Sequence, residues 1–161
     1  MSGASSWSFR EEDAARIGGL LNSLLREANA KTALLVDRSG QMLATVGEEP
    51  RFDQVAFASL TAADFSANDQ LAKLVGEKDF SSLFHQGDNA SMYLADVARR
   101  VILVVLFDSR TTLGLVRLKM KETVVELTTL FHEVFSRGGP GKPKVEGILA
   151  GADDEIDKLF G

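Results

Sequence analysis

The chain contains no cysteine. Disulfide bonds, thiolate catalysis and zinc sites built from cysteine are therefore excluded. Histidine is scarce as well: the chain has two, His85 and His132, and neither has carboxylates at a spacing typical of metal ligands. We therefore expect no metal and no cofactor, and the lack of cysteine fits a reducing compartment.

Long apolar runs and positive charge are also lacking. The longest apolar run, Val101–Phe107, is far too short to cross a bilayer, and residues 1–7 do not have the pattern of a signal peptide. The formal net charge is −5, whereas binding to nucleic acid depends on clustered Lys and Arg. These features predict a cytoplasmic protein that neither inserts into a membrane nor binds nucleic acid.

The motifs that would carry catalysis are not complete in this sequence. Gly138–Pro143 contains the glycines and lysine of a phosphate-binding loop, but a predicted helix precedes it and Pro143 stands where a hydroxyl is needed. Arg99, Arg100 and Arg110 flank a predicted strand and could either reach an anionic partner or be solvated loop side chains. We therefore expect a protein that is not an enzyme and has no active site.

What is present is a composition typical of one globular domain, with 161 residues, 45% of them apolar and 25% charged. Apolar periodicity predicts the order helix, two strands, helix, three strands, helix. The first helix follows a capping box at Ser8–Glu11, the second runs from a cap at Asp53 to a stop at Gly76, and the last spans about 112–136. Val101–Phe107 is expected to be a central strand covered on both faces. The predicted fold is an α/β sandwich of the α+β type, with a five-stranded antiparallel sheet between helices.

The predicted second helix is apolar on two faces, so we expect it to be buried on more than one side. One stripe, expected on the chain's own sheet, comprises Phe57, Leu60, Ala67, Leu71 and Leu74. The other, richer in small residues, comprises Val55, Ala58, Ala62 and Phe65. This second stripe could be covered by the same helix of a second copy or by the first or last helix, and the pattern does not choose between them.

The C-terminal part of the chain changes in composition. We divide the sequence into a disordered N-terminus at 1–7, a domain at 8–137, a Gly/Pro-rich linker at 138–151 and an acidic amphipathic segment at 152–161. In that last segment Ile156, Leu159 and Phe160 fall on one side of a short helical turn and acidic residues fill the other. The segment is expected either to bind a partner groove or to dock on its own domain.

Several stretches over nearly the whole chain after residue 8 carry a family resemblance: Asn29–Lys31, Leu35–Asp37, Ala58–Ala62, Leu71–Glu77, Phe84–Gly87, Arg100–Asp108, Arg110–Thr111, Leu113–Leu118 and Asp153–Phe160. With them the chain resembles the roadblock (dynein light chain) family. Among its members it is most similar to the MglB group of bacterial proteins, which regulate the Ras-like GTPase MglA. The resemblance implies the roadblock fold with a short C-terminal helix on a linker.

The resemblance also implies a homodimer formed through the second helix and the third strand. The residues that we assign to this interface are Val55, Ala58, Ala62, Phe65, Leu83 and His85. One MglA-like GTPase would bind per dimer, and the dimer would promote GTP hydrolysis by reshaping the GTPase, without an arginine finger. A role in cell polarity and gliding motility is implied, with enrichment at a cell pole and other polarity proteins as further candidate partners.

The residues that the resemblance assigns to GTPase binding lie in two places: Ala63, Ser66, Ala67 and Gln70 on the second helix, and Ile156, Leu159 and Phe160 in the tail. The family favours Ala and Gly on the exposed face of this helix. The chain departs from that pattern with Asp64, Phe65, Ser66, Asn68, Asp69 and Gln70. Bulkier polar groups at a closely packed contact would point to a different GTPase or to weak activation.

Two other functions remain open on the sequence alone. A roadblock dimer could act as an adaptor that links polarity proteins without changing nucleotide turnover. A sensory domain that binds a small molecule is the third possibility, and an apolar cavity between the sheet and the first helix would favour it.

Overall fold

The computed structural model describes residues 9–137 of the chain. Three helices and five strands follow one another in the predicted order. Their bounds are α1 Glu11–Ala28, β1 Thr32–Asp37, β2 Met42–Gly47, α2 Gln54–Leu74, β3 Ser82–Gln86, β4 Ser91–Val97, β5 Val101–Phe107 and α3 Leu113–Arg137. The predicted fold class, an α+β sandwich with a five-stranded antiparallel sheet, is confirmed.

The sheet is antiparallel throughout, with the strand order β2-β1-β5-β4-β3. The central strand is β5, as the apolar run Val101–Phe107 predicts, and six of its seven residues are buried. It pairs with β1 through Leu34↔Val104 and with β4 through Leu94↔Val104. Because β5 is covered on both faces and paired on both edges, it organises the core.

The helices cover the two faces of the sheet unequally. Helices α1 and α3 pack side by side on one face, where Leu21, Leu24 and Leu127 join Leu35 and Leu103 in the larger apolar core. Among the described elements, helix α2 alone covers the other face, and it contributes Phe65 to a smaller core. A single helix leaves part of a five-stranded sheet face uncovered, so the α2 side is the more open side of the molecule.

The start of α1 differs from the prediction. The helix begins at Glu11, and the backbone N–H of Arg10 donates to Oδ2 of Asp13 at 3.1 Å. The predicted capping box at Ser8–Glu11 is therefore misplaced by two residues, because Asp13 supplies the carboxylate that Glu11 was expected to supply. The other end matches the prediction, since Asn29 stops the helix in the left-handed conformation with φ 55°.

The predicted division into a domain, a linker and two tails stays a prediction. Residues 1–7, the linker 138–151 and the segment 152–161 lie outside the described residues.

Candidate functional site

Asp53 and Gly76 set the two ends of helix α2. Oδ1 of Asp53 accepts hydrogen bonds from the backbone N–H groups of Val55 and Ala56, at 3.0 and 3.2 Å. These bonds satisfy two of the donors that a helix leaves unpaired at its start. Gly76, with φ 87°, lies just past the last turn in a conformation that favours glycine. The sequence prediction of a helix between Asp53 and Gly76 is confirmed.

One face of α2 is fixed to the sheet. Its buried residues are Ala58, Thr61, Phe65, Asn68 and Ala72, spaced three and four residues apart. Phe65 packs among Leu34, Leu94, Ile102 and Val104 of the sheet. The side-chain amide of Asn68 donates to the carbonyl oxygen of Phe80 at 3.1 Å, just before β3. The helix is thus held by apolar packing and by a partly buried hydrogen bond.

This arrangement corrects the assignment of the two faces of α2. Ala58 and Phe65, which we assigned to the dimer interface, are 1% and 0% exposed beneath the helix. A side chain covered by its own sheet has no surface to offer a partner, so neither can contact a second copy directly. Small Ala58 lets the helix approach its own sheet closely, which is the role that we expected it to play toward another subunit.

The other predicted dimer residues keep some or all of their surface. Val55 is 76% exposed, and Ala62 is half-buried close to Gly40 in the β1–β2 turn. On β3, Leu83 is half-buried and His85 is exposed. These four positions stay predictions for the interface.

The stripe that was expected to face the sheet is instead open. Leu60, Leu71 and Leu74 are 69%, 56% and 82% exposed, and we call these three residues the α2 stripe. Three large apolar side chains along one helix face are typical of a contact surface rather than of a solvated helix. Helix α2 is therefore apolar on two faces as predicted, but Leu60, Leu71 and Leu74 face solvent where the sheet was expected. Phe57, of the same predicted stripe, is partly buried against the sheet-side core as expected.

The α2 stripe lies on the side of the helix that faces β3. Asp64, on this flank of α2, accepts a hydrogen bond from Nε2 of His85 on β3, with an oxygen–nitrogen distance of 2.7 Å. Leu83 and Met92 on the neighbouring sheet face are only partly buried. Strand β3 pairs with β4 alone within residues 9–137, so its outer edge is unpaired there. The stripe, the partly open sheet face and a free strand edge thus adjoin one another.

The predicted GTPase-contact residues of α2 come together on its outer face. Ala63, Ser66, Ala67 and Gln70 are all exposed, and their spacing of three and four residues places them on one side of the helix. We call this surface the α2 platform. Ile156, Leu159 and Phe160, the other predicted contacts, lie outside the described residues.

Fewer bulky polar residues lie on the α2 platform than the sequence suggested. Phe65 and Asn68 are buried toward the sheet, and Asp64 and Asp69 lie on the flanks, where they bind His85 and Arg38. Only Ser66 and Gln70 remain as the larger groups on the α2 platform. The expected crowding by six residues is therefore reduced to two small or flexible uncharged side chains.

Sequence reasoning missed Arg38, which anchors the platform from below. Its guanidinium pairs with Asp69 of α2 at 2.7 Å and with Asp96 at the end of β4, and it lies 5.0 Å from the ring centroid of Phe65. Burial acts to lower the pKa of Arg38, but the hydrogen bonds from Arg38 to Asp96 and Asp69 outweigh it and the pKa is raised. Arg38 thus stays charged and ties α2 to both the β1–β2 turn and β4.

The arginines that flank β5 have partners within the chain. Arg99 pairs with Asp79 at 2.7 Å, Arg110 pairs with Asp108 and Glu48, and Arg100 lies over the ring of Phe135. These contacts favour the structural interpretation of the three side chains over an anion site.

Other kinds of site receive no support from the described residues. Within 9–137, no three His, Asp or Glu side chains are grouped so that they could hold a metal ion. None of the helices in this part of the chain is long and apolar enough to span a bilayer. Between α1 and the sheet, where a ligand cavity was considered, Leu21, Leu24, Leu35 and Leu103 are 0–1% exposed and pack into one core.

Comparison with known proteins finds one matching family model and several similar solved structures. The Roadblock/LC7 domain family model matches residues 17–107. Myxococcus xanthus MglB is 44% identical, with 73% of this chain and 96% of that chain covered and a TM-score of 0.71. Gliding protein MglB from Thermus thermophilus is 32% identical, with 80% and 97% covered and a TM-score of 0.73. An MglB structure with a tetrameric arrangement is 32% identical, with 81% and 97% covered and a TM-score of 0.74. No curated protein sequence matches the chain.

Proposed function

Because the chain belongs to the Roadblock/LC7 domain family, and within it to the MglB proteins, we propose that it regulates a small Ras-like GTPase of the MglA type. It acts as a homodimer and promotes GTP hydrolysis without an active site of its own. The protein works in the cytoplasm, enriched at a cell pole, in cell polarity and gliding motility.

The α2 platform is the observation that carries this proposal. Its four exposed residues are small or uncharged, and the helix beneath them is fixed by Phe65, Asn68 and Arg38. A preformed surface loses little conformational entropy when a partner binds. Such a surface supports recognition of a partner by shape.

The proposed mechanism is a shift in the conformations of the GTPase. Ala63, Ser66, Ala67 and Gln70 carry no ionisable group that could enter the reaction. What the platform offers is differential affinity: if it fits the hydrolysis-competent form better, that form becomes more populated. The catalytic groups are then those of the GTPase itself. Ile156, Leu159 and Phe160 supply a second contact with the GTPase.

The proposed dimer uses the α2 stripe and the free edge of β3. Leu60, Leu71 and Leu74 of each copy become buried, together with Leu83 and His85. Ala62 and Val55, two helical turns apart, lie on the other flank of α2 toward the β1–β2 turn, so the contact through β3 does not by itself bury them. A two-fold arrangement places the two α2 platforms side by side, and one GTPase bound across both excludes a second. The stoichiometry is therefore one GTPase per dimer.

The test is single-turnover GTP hydrolysis by the MglA-type GTPase of the same organism, with the protein in excess. We expect faster hydrolysis with the unmodified chain and none of that acceleration with Ser66→Arg or Gln70→Arg, because a long charged side chain prevents close approach to the platform. Asn22→Arg, on the exposed side of α1, is the matched control and should leave the acceleration unchanged.

Binding of the GTPase is measured beside turnover. Equal affinity for the GDP-bound and GTP-bound forms without acceleration would make the protein an adaptor and overturn the activator proposal. Failure to bind either form would overturn the choice of partner.

A further inference from the structure

The outer face of α3 carries apolar side chains that the proposed function does not use. Leu118 and Val125 are 52% and 65% exposed, and they lie seven residues apart, two helical turns. The core-facing side of the same helix is formed by Val116, Met120 and Leu127, which are 0–1% exposed. Leu118 and Val125 are thus on the side of α3 that points away from the sheet.

This surface is remote from both surfaces of the proposed function. Helix α3 packs on the sheet face opposite to α2, since the two helices belong to separate apolar cores. The α2 platform and the α2 stripe are on the far side of the sheet. Neither the GTPase nor the second subunit of the proposed dimer therefore covers Leu118 and Val125.

Positive charge lies beside these two apolar side chains. Arg117 and Lys121 are exposed, and neither forms an ion pair within residues 9–137. The Arg117 guanidinium lies 5.9 Å from the ring centroid of Tyr93, on the β4 side of the helix.

Two of the three acidic groups of the same helix, Glu122 and Glu133, already have partners, whereas Glu126 forms no ion pair within residues 9–137. Glu133 pairs with Arg16, and Lys119 pairs with Glu122 and with Glu27 of α1. The face that holds Leu118 and Val125 therefore has a basic border on its β4 side.

The C-terminal segment of this chain has the complementary pattern. Ile156, Leu159 and Phe160 stand at i, i+3 and i+4, a spacing that would group them on one side of a helix. Asp153, Asp154, Glu155 and Asp157 surround them. Apolar anchors bordered by acids match an apolar face bordered by free basic groups.

The length of chain between the two is suited to this contact. Val125 and Leu118 lie about 18 and 28 Å back along α3 from its end at Arg137, at 1.5 Å per residue. The 14 linker residues 138–151, if they behave as a flexible Gly-rich coil, span about 20 Å on average. A tether that matches the distance to be spanned gives a high effective concentration of the segment at the helix.

We propose that the segment 152–161 docks on the outer face of α3 of its own chain. Ile156, Leu159 and Phe160 lie on Leu118 and Val125, and the acidic residues lie beside Arg117 and Lys121. This consequence rests on the proposed function, in which Ile156, Leu159 and Phe160 also contact the GTPase. A segment docked on α3 cannot bind the GTPase at the same time, so it must leave α3 before the GTPase binds it.

The absence of cysteine allows a direct test on the full chain without any GTPase. Lys158→Cys introduces a single site for a nitroxide spin label, and methyl NMR signals report its position. We expect the label to broaden the signals of Leu118 and Val125 and to leave those of Leu60, Leu71 and Leu74 sharp. Unchanged Leu118 and Val125 signals, or broadening at the α2 stripe instead, overturns the proposal.

Variants separate the apolar and the charged parts of the contact. Ile156→Ser with Phe160→Ser should abolish the broadening. Arg117→Glu with Lys121→Glu should weaken docking by about ten-fold, as the loss of two exposed ion pairs would. Arg26→Glu, on the exposed side of α1, is the control and should have little effect. Equal docking in the Arg117→Glu, Lys121→Glu variant contradicts the charged part of the proposal.

Mixed samples identify which chain supplies the segment. Spin-labelled chains without isotope are combined with isotope-labelled chains without a spin label. Broadening only within a doubly labelled chain supports docking on its own α3, whereas broadening in the mixture shows a second copy as the occupant and overturns the proposal. Because no GTPase is present, these results are independent of whether the protein activates one.

Discussion

The side chain of Arg38 joins three parts of the fold that are far apart in the sequence. Its pairs with Asp69 and Asp96 span 31 and 58 residues. The three side chains are 29%, 26% and 19% exposed, so water replaces the lost partner poorly when one of them is removed.

Arg38→Met keeps most of the apolar stem of the side chain but removes the charge. We expect the free energy of unfolding to fall by about 2 kcal/mol, because two half-buried carboxylates lose their partner. Chemical denaturation followed by circular dichroism measures the change. Arg16→Met, which breaks the exposed pair between Arg16 and Glu133, should cost less than about 0.5 kcal/mol. Equal losses in the two variants would contradict the anchoring role of Arg38.

No local pattern could have predicted this cluster. Asp69 and Asp96 look like solvated charges in the sequence, and only the β1–β5 and β4–β5 pairings bring the β1–β2 turn near them. His85 and Asp64 form a second such pair across 21 residues. Contacts at this separation depend on tertiary structure, whereas caps and stops depend on neighbours within one helical turn.

Gly47 at the end of β2 is a position where glycine is required. Its φ is 97°, and a Cβ placed there would lie 2.4 Å from the carbonyl oxygen of Lys31 and 2.5 Å from Cδ1 of Leu25. Gly47→Ala should therefore lower the free energy of unfolding by about 2 kcal/mol or more. Gly19→Ala is the matched control: it lies in α1 with no neighbour within 4 Å, and should raise stability by up to about 1 kcal/mol. A neutral Gly47→Ala would show that the turn can rearrange.

At the scale of elements, α2 shows which part of a helix can be predicted from its sequence. Its limits follow from Asp53 and Gly76, whose effects act within a few residues. Which face packs on the sheet does not follow, because both stripes are apolar. Small Ala58 and Ala72 with one large Phe65 fit closely against the sheet, whereas Leu60, Leu71 and Leu74 would hold the helix away from it.

The cap of α2 gives a prediction at this scale. Asp53→Ala removes the acceptor for the N–H groups of Val55 and Ala56, and should lower the free energy of unfolding by about 1 kcal/mol. Asp53→Asn keeps an oxygen acceptor in place and should lose much less. Thermal or urea denaturation distinguishes the two. If both variants lose the same stability, the carboxylate acts through its charge at the helix start rather than through the hydrogen bonds.

At the scale of the whole molecule, the order of elements and the central place of β5 could be predicted, because seven consecutive apolar residues rich in Val are typical of a strand covered on both faces. The predicted helix with two apolar faces was likewise found. Which apolar side chains of α2 are exposed could not be predicted from the apolar pattern, because their exposure depends on how far α2 covers the five-stranded sheet. The family resemblance implied a contact through the third strand, but the exposure of the α2 stripe became visible only in the packed structure.

Because the α2 stripe and the free edge of β3 are both assigned to the proposed dimer, the oligomeric state tests their role directly. In a two-fold interface each substitution occurs twice, so a charge placed on the α2 stripe meets its own copy in an apolar setting. Leu71→Glu should therefore convert a dimer at micromolar concentration into a monomer, measured by sedimentation velocity. Val125→Glu is the matched control, since Val125 is 65% exposed on α3 and Leu71 is 56% exposed on α2. We expect the control to remain dimeric.

A wild-type chain that sediments as a monomer at micromolar concentration, or a Leu71→Glu variant that stays dimeric, would show that the α2 stripe is not the surface joining two copies. The α2 platform would then have to act from one subunit.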